Sequence, residues 1–65
     1  MNRAEFRNNL GEFITVNQAC ELVNLGRTKV RQLAEESGAA VKIGTSYRIK
    51  RKIFLDFIDQ NFSVR

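Results

Sequence analysis

The chain has no histidine, and its one cysteine, Cys20, has no second thiol to pair with. The first absence removes the side chain that most often moves protons at neutral pH. The second excludes an internal disulfide and leaves no cysteine cluster for a metal. Glycine is sparse too: Gly11, Gly26, Gly38 and Gly44 stand far apart, so there is no glycine-rich phosphate loop. The seven carboxylates are scattered, with Glu35 and Glu36 the only adjacent pair. No apolar run approaches the roughly 20 residues of a membrane-spanning helix. The opening "MNRAEFRNNLGEF" lacks the basic-then-apolar order of a secretory leader. These absences lead us to expect a cytoplasmic protein that is not an enzyme, needs no cofactor and holds no metal.

What is present is short and basic. Sixty-five residues make one domain, and at that size only roughly 60% of the unfolded chain's surface is buried on folding. The net charge is +4, but its placement is more informative. From Arg27 to Lys52 there are eight bases against two acids, whereas the remainder carries three bases against five acids. A concentrated basic segment suits a surface that meets a polyanion. On charge alone, a solvated basic face explains it equally well.

Residues 1–11 are polar and weakly patterned, and read as a loose arm with Phe6 and Leu10 free to dock; residues 12–65 form the domain. At "FITVNQACELV", Thr15 followed by Gln18 fits a capping box, which predicts a helix over 16–23 with Ala19, Leu22 and Val23 facing a core. "NLG" then interrupts. The stretch "LGRTKVRQL" opens a second helix over 27–37, with Val30, Leu33 and Ala34 inward and Gly38 as its C-terminal cap. Thr28 and Gln32 point away from that stripe, flanked by Lys29 and Arg31. Bases at its start and acids at its end oppose the helix dipole, a conflict that an external anion at the N-terminal end would resolve.

"AVKIGTSYRIK" alternates at period two, the signal of a half-buried hairpin. A turn at Gly44, Thr45 and Ser46 pairs Val41 with Ile49 and Ile43 with Tyr47 inside, and sets Lys42 opposite Arg48 outside, where like charges repel unless phosphates lie nearby. The last helix, over 51–61, has a core stripe of Phe54, Phe57, Ile58 and Phe62. Ile53 and Leu55 widen its apolar arc, which predicts either cover by the N-terminal arm or contact with another protein.

Two short helices, a basic hairpin and a supporting helix make an α+β fold: a small winged helix-turn-helix of three short helices plus a two-stranded β-hairpin wing. Such a unit puts the N-terminal end of its second helix into the major groove of double-stranded DNA. There Arg pairs with guanine and Gln with adenine. A wing of Lys, Arg, Thr and Ser suits phosphates or the adjacent minor groove.

The run "FITVNQACELVNLGRTKVRQLAEESG…VKIGTSYRIKRKIFLDFI", residues 13–59, resembles the small excisionases of conjugative transposons and phages, whose DNA-binding fold is similar to that of MerR-type regulators. The resemblance implies a non-catalytic architectural factor that bends DNA, often as neighbouring copies side by side. It assists a tyrosine-family integrase in excising a mobile element. The family's recognition-helix positions match Arg27, Thr28, Lys29, Arg31 and Gln32, and its wing matches Lys42 and Gly44 to Arg48. On that basis Arg27, Thr28, Arg31 and Gln32 are expected at bases and Lys29 at phosphate. Lys42, Thr45, Ser46, Tyr47 and Arg48 are expected to serve the wing, and Thr15 and Asn17 the backbone near helix one. Tyr47 is equally suited to closing the core. Ile53 and Leu55 are the candidates for protein contact. The chain departs from many relatives at Gly26, where they carry Ser or Thr, at Arg31, where an aromatic residue is common, and in the short, proline-free link at 38–40.

Two other readings use the same residues. A small winged-helix transcriptional repressor needs nothing more than this fold. A protein-interaction module would turn the basic face to an acidic partner and bind DNA weakly and without sequence preference. RNA binding is disfavoured, because no pair of exposed aromatics suited to base stacking is evident.

Overall fold

The computed structural model describes residues 11–64; the expected docking of Phe6 and Leu10 lies outside the described residues. The elements in chain order are β1 (Phe13–Ile14), α1 (Val16–Val23), α2 (Arg27–Ser37), β2 (Ala40–Ile43), β3 (Ser46–Lys50) and α3 (Arg51–Phe62). This is a small α+β fold compatible with a winged helix. Among the described residues, no helix is long and apolar enough to cross a membrane.

The capping box forms as the sequence predicts. Gln18 N–H donates to Thr15 Oγ1 and Thr15 N–H donates to Gln18 Oε1, each at 3.0 Å. Both satisfy backbone or side-chain groups that the first helical turn leaves open. Helix α1 ends at Asn24, whose φ of 57° is left-handed, and α2 ends at Gly38, with φ of 76°. After Gly38, Ala39 N–H returns to Ala34 O at 3.0 Å, closing the helix end and turning the chain straight into β2.

The core gathers Ile14, Val16, Ala19 and Leu22 from the first half, Val30, Leu33 and Ala34 from α2, and Ala39, Ile49 and Phe54 beyond. Val23 is half-buried against it. In α3 only Phe54 is fully buried; Phe57, Ile58 and Leu55 pack partly against the core. Phe62, expected in the core stripe, is instead 55% exposed, its ring meeting Phe57 edge-on at 6.1 Å. Among the described residues, little packs over the last helical turn, as expected of so small a core. Of the two candidate contact residues, Leu55 is half-buried and Ile53 is exposed.

The sheet differs from the expected hairpin in two ways. A third strand is present: β1 joins β3 antiparallel, with Phe13 facing Lys50 and Ile14 facing Ile49, so the strand order is β1-β3-β2. The hairpin register is also shifted by one residue. Ala40 faces Ile49, Val41 faces Arg48, Lys42 faces Tyr47 and Ile43 faces Ser46. The loop is therefore two residues, Gly44 and Thr45, with the positive φ of 61° at Gly44 alone. That is the type II′ pattern, whose twist matches the strands it joins. Ala39 is pinned in the core and its carbonyl accepts from Lys50 N–H at 2.8 Å, so β2 begins with Ala40 on the inner face. A slip of one residue moves a whole side-chain set across the sheet. Val41 and Ile43 consequently lie on the outer face, and Lys42 is opposite Tyr47, not Arg48. The expected like-charge pair does not form.

Candidate nucleic-acid interface

Helix α2 starts at Gly26, whose backbone is extended and supplies no side-chain cap. Its first turn contains no acid, so its free N–H groups lie beside Arg27 and Lys29 with no carboxylate among them. Partial positive charge from the backbone and full charge from the side chains add at one end. Arg27, Thr28, Lys29, Arg31 and Gln32 are all exposed, because Val30, Leu33 and Ala34 between them are buried and fix which side of the helix turns out.

Several of these side chains are held by neighbours. The Arg27 guanidinium donates to Asn17 Oδ1, linking α2 to the first turn of α1. Asn17 thus orients Arg27, and its own NH2 makes no bond among the described residues. Gln32 Nε2 donates to Glu36 Oε2 at 3.2 Å, one helical turn on. Arg31 sits over the ring of Tyr47, its guanidinium carbon 4.3 Å from the centroid. This geometry is favoured by the negative face of the ring. The Tyr47 hydroxyl donates to Glu35 Oε2 at 2.9 Å. Burial, then the bond to Glu35, then the charge of Glu35 raise the Tyr47 pKa above its ordinary value, while Arg31 pulls the other way.

The wing is divided by its register. Lys42 and Tyr47 share the side that faces α2, and Thr45 is exposed at the tip. Ser46 and Arg48 lie on the other side, with one Arg48 Nη donating to Tyr47 O at 2.9 Å. The α2 residues, Lys42 and Tyr47 are therefore brought together, whereas Arg48 and Ser46 reach a shared ligand only around the wing's edge. Thr15 is half-buried, and its hydroxyl oxygen is occupied by the cap on α1.

Sequence reasoning missed the work of Glu35 and Glu36. It treated them as charges at an unfavourable helix end, but each holds a residue of the candidate interface. The Gln32–Glu36 pair was available from its i,i+4 spacing. The Glu35–Tyr47 bond had no local signal, since it spans twelve positions and depends on how the wing folds back.

No curated protein and no solved structure matches the chain. Residues 11–61, which cover everything from β1 to the last turn of α3, match the model of a family of unknown function, DUF6462, and the chain belongs to that family.

Proposed function

We propose that the protein is a sequence-specific, DNA-binding architectural factor of the excisionase type. It bends double-stranded DNA and assists a tyrosine-family integrase in excising a mobile element, in the cytoplasm and without catalysis of its own. The observation that carries this reading is the Arg31–Tyr47–Glu35 contact, which fastens the wing to the middle and last turn of α2, the helix whose start is cationic. A helix end bearing Arg27, Thr28, Lys29 and Gln32 then has a basic hairpin at a fixed position next to it. Duplex DNA offers a major groove for the first and a flanking phosphate row or minor groove for the second.

Binding of the protein to duplexes selected from a random pool, followed by fluorescence anisotropy across a salt series, tests the DNA step. Log affinity should fall linearly with log salt, and a selected site should outcompete random duplex. A flat salt response or no enriched site would overturn the reading. Excision in the presence of the integrase, scored beside a promoter fusion, tests the biological role. A promoter response with no effect on excision would replace it with the repressor reading.

A further inference from the structure

The outer face of the sheet is unlike the side that meets α2. Strand β2 alternates Val41 and Ile43 with Lys42, a pattern that ordinarily buries the apolar pair. The one-residue register turns that pair outward, so Ile43 is 57% exposed and Val41 half-buried. On the same face β3 contributes Arg48 and Lys50, and β1 contributes Phe13, which is 48% exposed. Beyond Lys50 the start of α3 adds Ile53, 40% exposed, and Phe13, Lys50 and Ile53 line a pocket of about 280 Å3 together with Glu12, Arg51 and Lys52, three cations against one carboxylate. The face thus has a cationic line along β3, about 7 Å from Arg48 to Lys50 by strand rise, with apolar side chains on both sides.

We infer that this face binds an acidic protein segment with apolar side chains, seating one of them in the Phe13–Ile53 pocket. Charge complementarity selects the partner. The Lys50 ammonium has no bond among the described residues, and Arg48 uses a single donor, on the Tyr47 carbonyl. Carboxylates along the β3 line satisfy both, while apolar neighbours cover Ile43 and Phe13. A DNA backbone would neutralise the cations but leave those side chains in water. A second copy of this chain is a poor occupant, since each copy carries +4. The inference does not rest on the DNA reading, which needs α2 with Lys42 and Tyr47 on the opposite side of the wing; only Arg48, expected from the sequence to serve DNA, is given to this face instead.

Amide shifts of the full, isotope-labelled chain provide the test, with a synthetic peptide of alternating leucine and glutamate as probe. Saturable shifts are expected at Phe13, Val41, Ile43, Lys50 and Ile53, and polyglutamate of equal length should bind far more weakly. Phe13→Ser with Lys50→Glu should weaken the peptide about tenfold or more, as loss of an interface anchor does. Ile43→Ser, at an exposed position, gives an independent variant if the double one unfolds. Equal binding of polyglutamate, shifts confined to other surfaces, duplex DNA shifting these same amides, or self-association of the chain alone through this face would each overturn the proposal. A failure of duplex DNA to shift α2 would overturn the excisionase reading and leave this one standing.

Discussion

The hydroxyl of Tyr47 on β3 donates to a carboxylate oxygen of Glu35 on α2, 2.9 Å away. With Arg31 stacked on the same ring, this contact makes the wing and α2 one unit at the candidate interface. Because both partners are surface side chains, the contact orients the wing more than it stabilises the fold.

Tyr47 is the only tyrosine and there is no tryptophan, so ultraviolet titration of the phenol reads this contact directly. The phenol should titrate above the usual value of about 10. The protonated form is the one favoured in the fold. Its contribution to stability is therefore complete below the unfolded value and is lost as pH rises through the folded one. Glu35→Gln removes the adjacent charge and should bring the midpoint down. A midpoint at or below the usual value in the parent chain would mean the contact does not persist in solution.

Substitutions on α2 should separate base reading from phosphate contact. Gln32→Ala is expected to cost about 1–3 kcal/mol on the selected site and much less on random duplex. Lys29→Ala should weaken both alike and reduce the salt slope by about 1. Equal losses for Gln32→Ala on both duplexes would remove it from the base-reading set.

Thr15→Ala deletes one half of the capping box that starts α1. It should destabilise the chain by about 1 kcal/mol in urea unfolding, with Thr15→Ser nearly neutral. The same variant should leave DNA affinity at fixed salt unchanged. A weaker affinity with no loss of stability would show that the hydroxyl contacts phosphate instead.

Phe54→Ala removes the largest fully buried side chain. The expected loss is about 3–5 kcal/mol, comparable with all that a core of this size supplies. Circular dichroism should show a largely unfolded chain at room temperature. A cooperative transition close to that of the parent would mean Phe54 is not the centre of the core.

The three helices, the Thr15 and Gly38 caps and most of the inward faces were legible in the sequence, because helical spacing and capping are local; the left-handed cap of α1 falls at Asn24, where the sequence pointed to Gly26. Thr15 and Gln18 declare a helix start three residues apart, and Val30, Leu33 and Ala34 mark one stripe. The cationic start of α2 was equally legible. It follows from residue order alone, since adjacent turns of a helix stack in a known way.

The tertiary structure decided the sheet and, through it, the makeup of each surface. Both strands of the wing alternate cleanly, so their pattern permits two registers. Only the burial of Ala39 after the Gly38 cap and the pairing of β1 with β3 select between them. That selection sends Val41 and Ile43 outward, separates Lys42 from Arg48 and brings Lys42 to the side of Tyr47. Strand pairing joins residues distant in the chain, and a one-residue slip reverses a face; spacing within either strand alone does not carry that information.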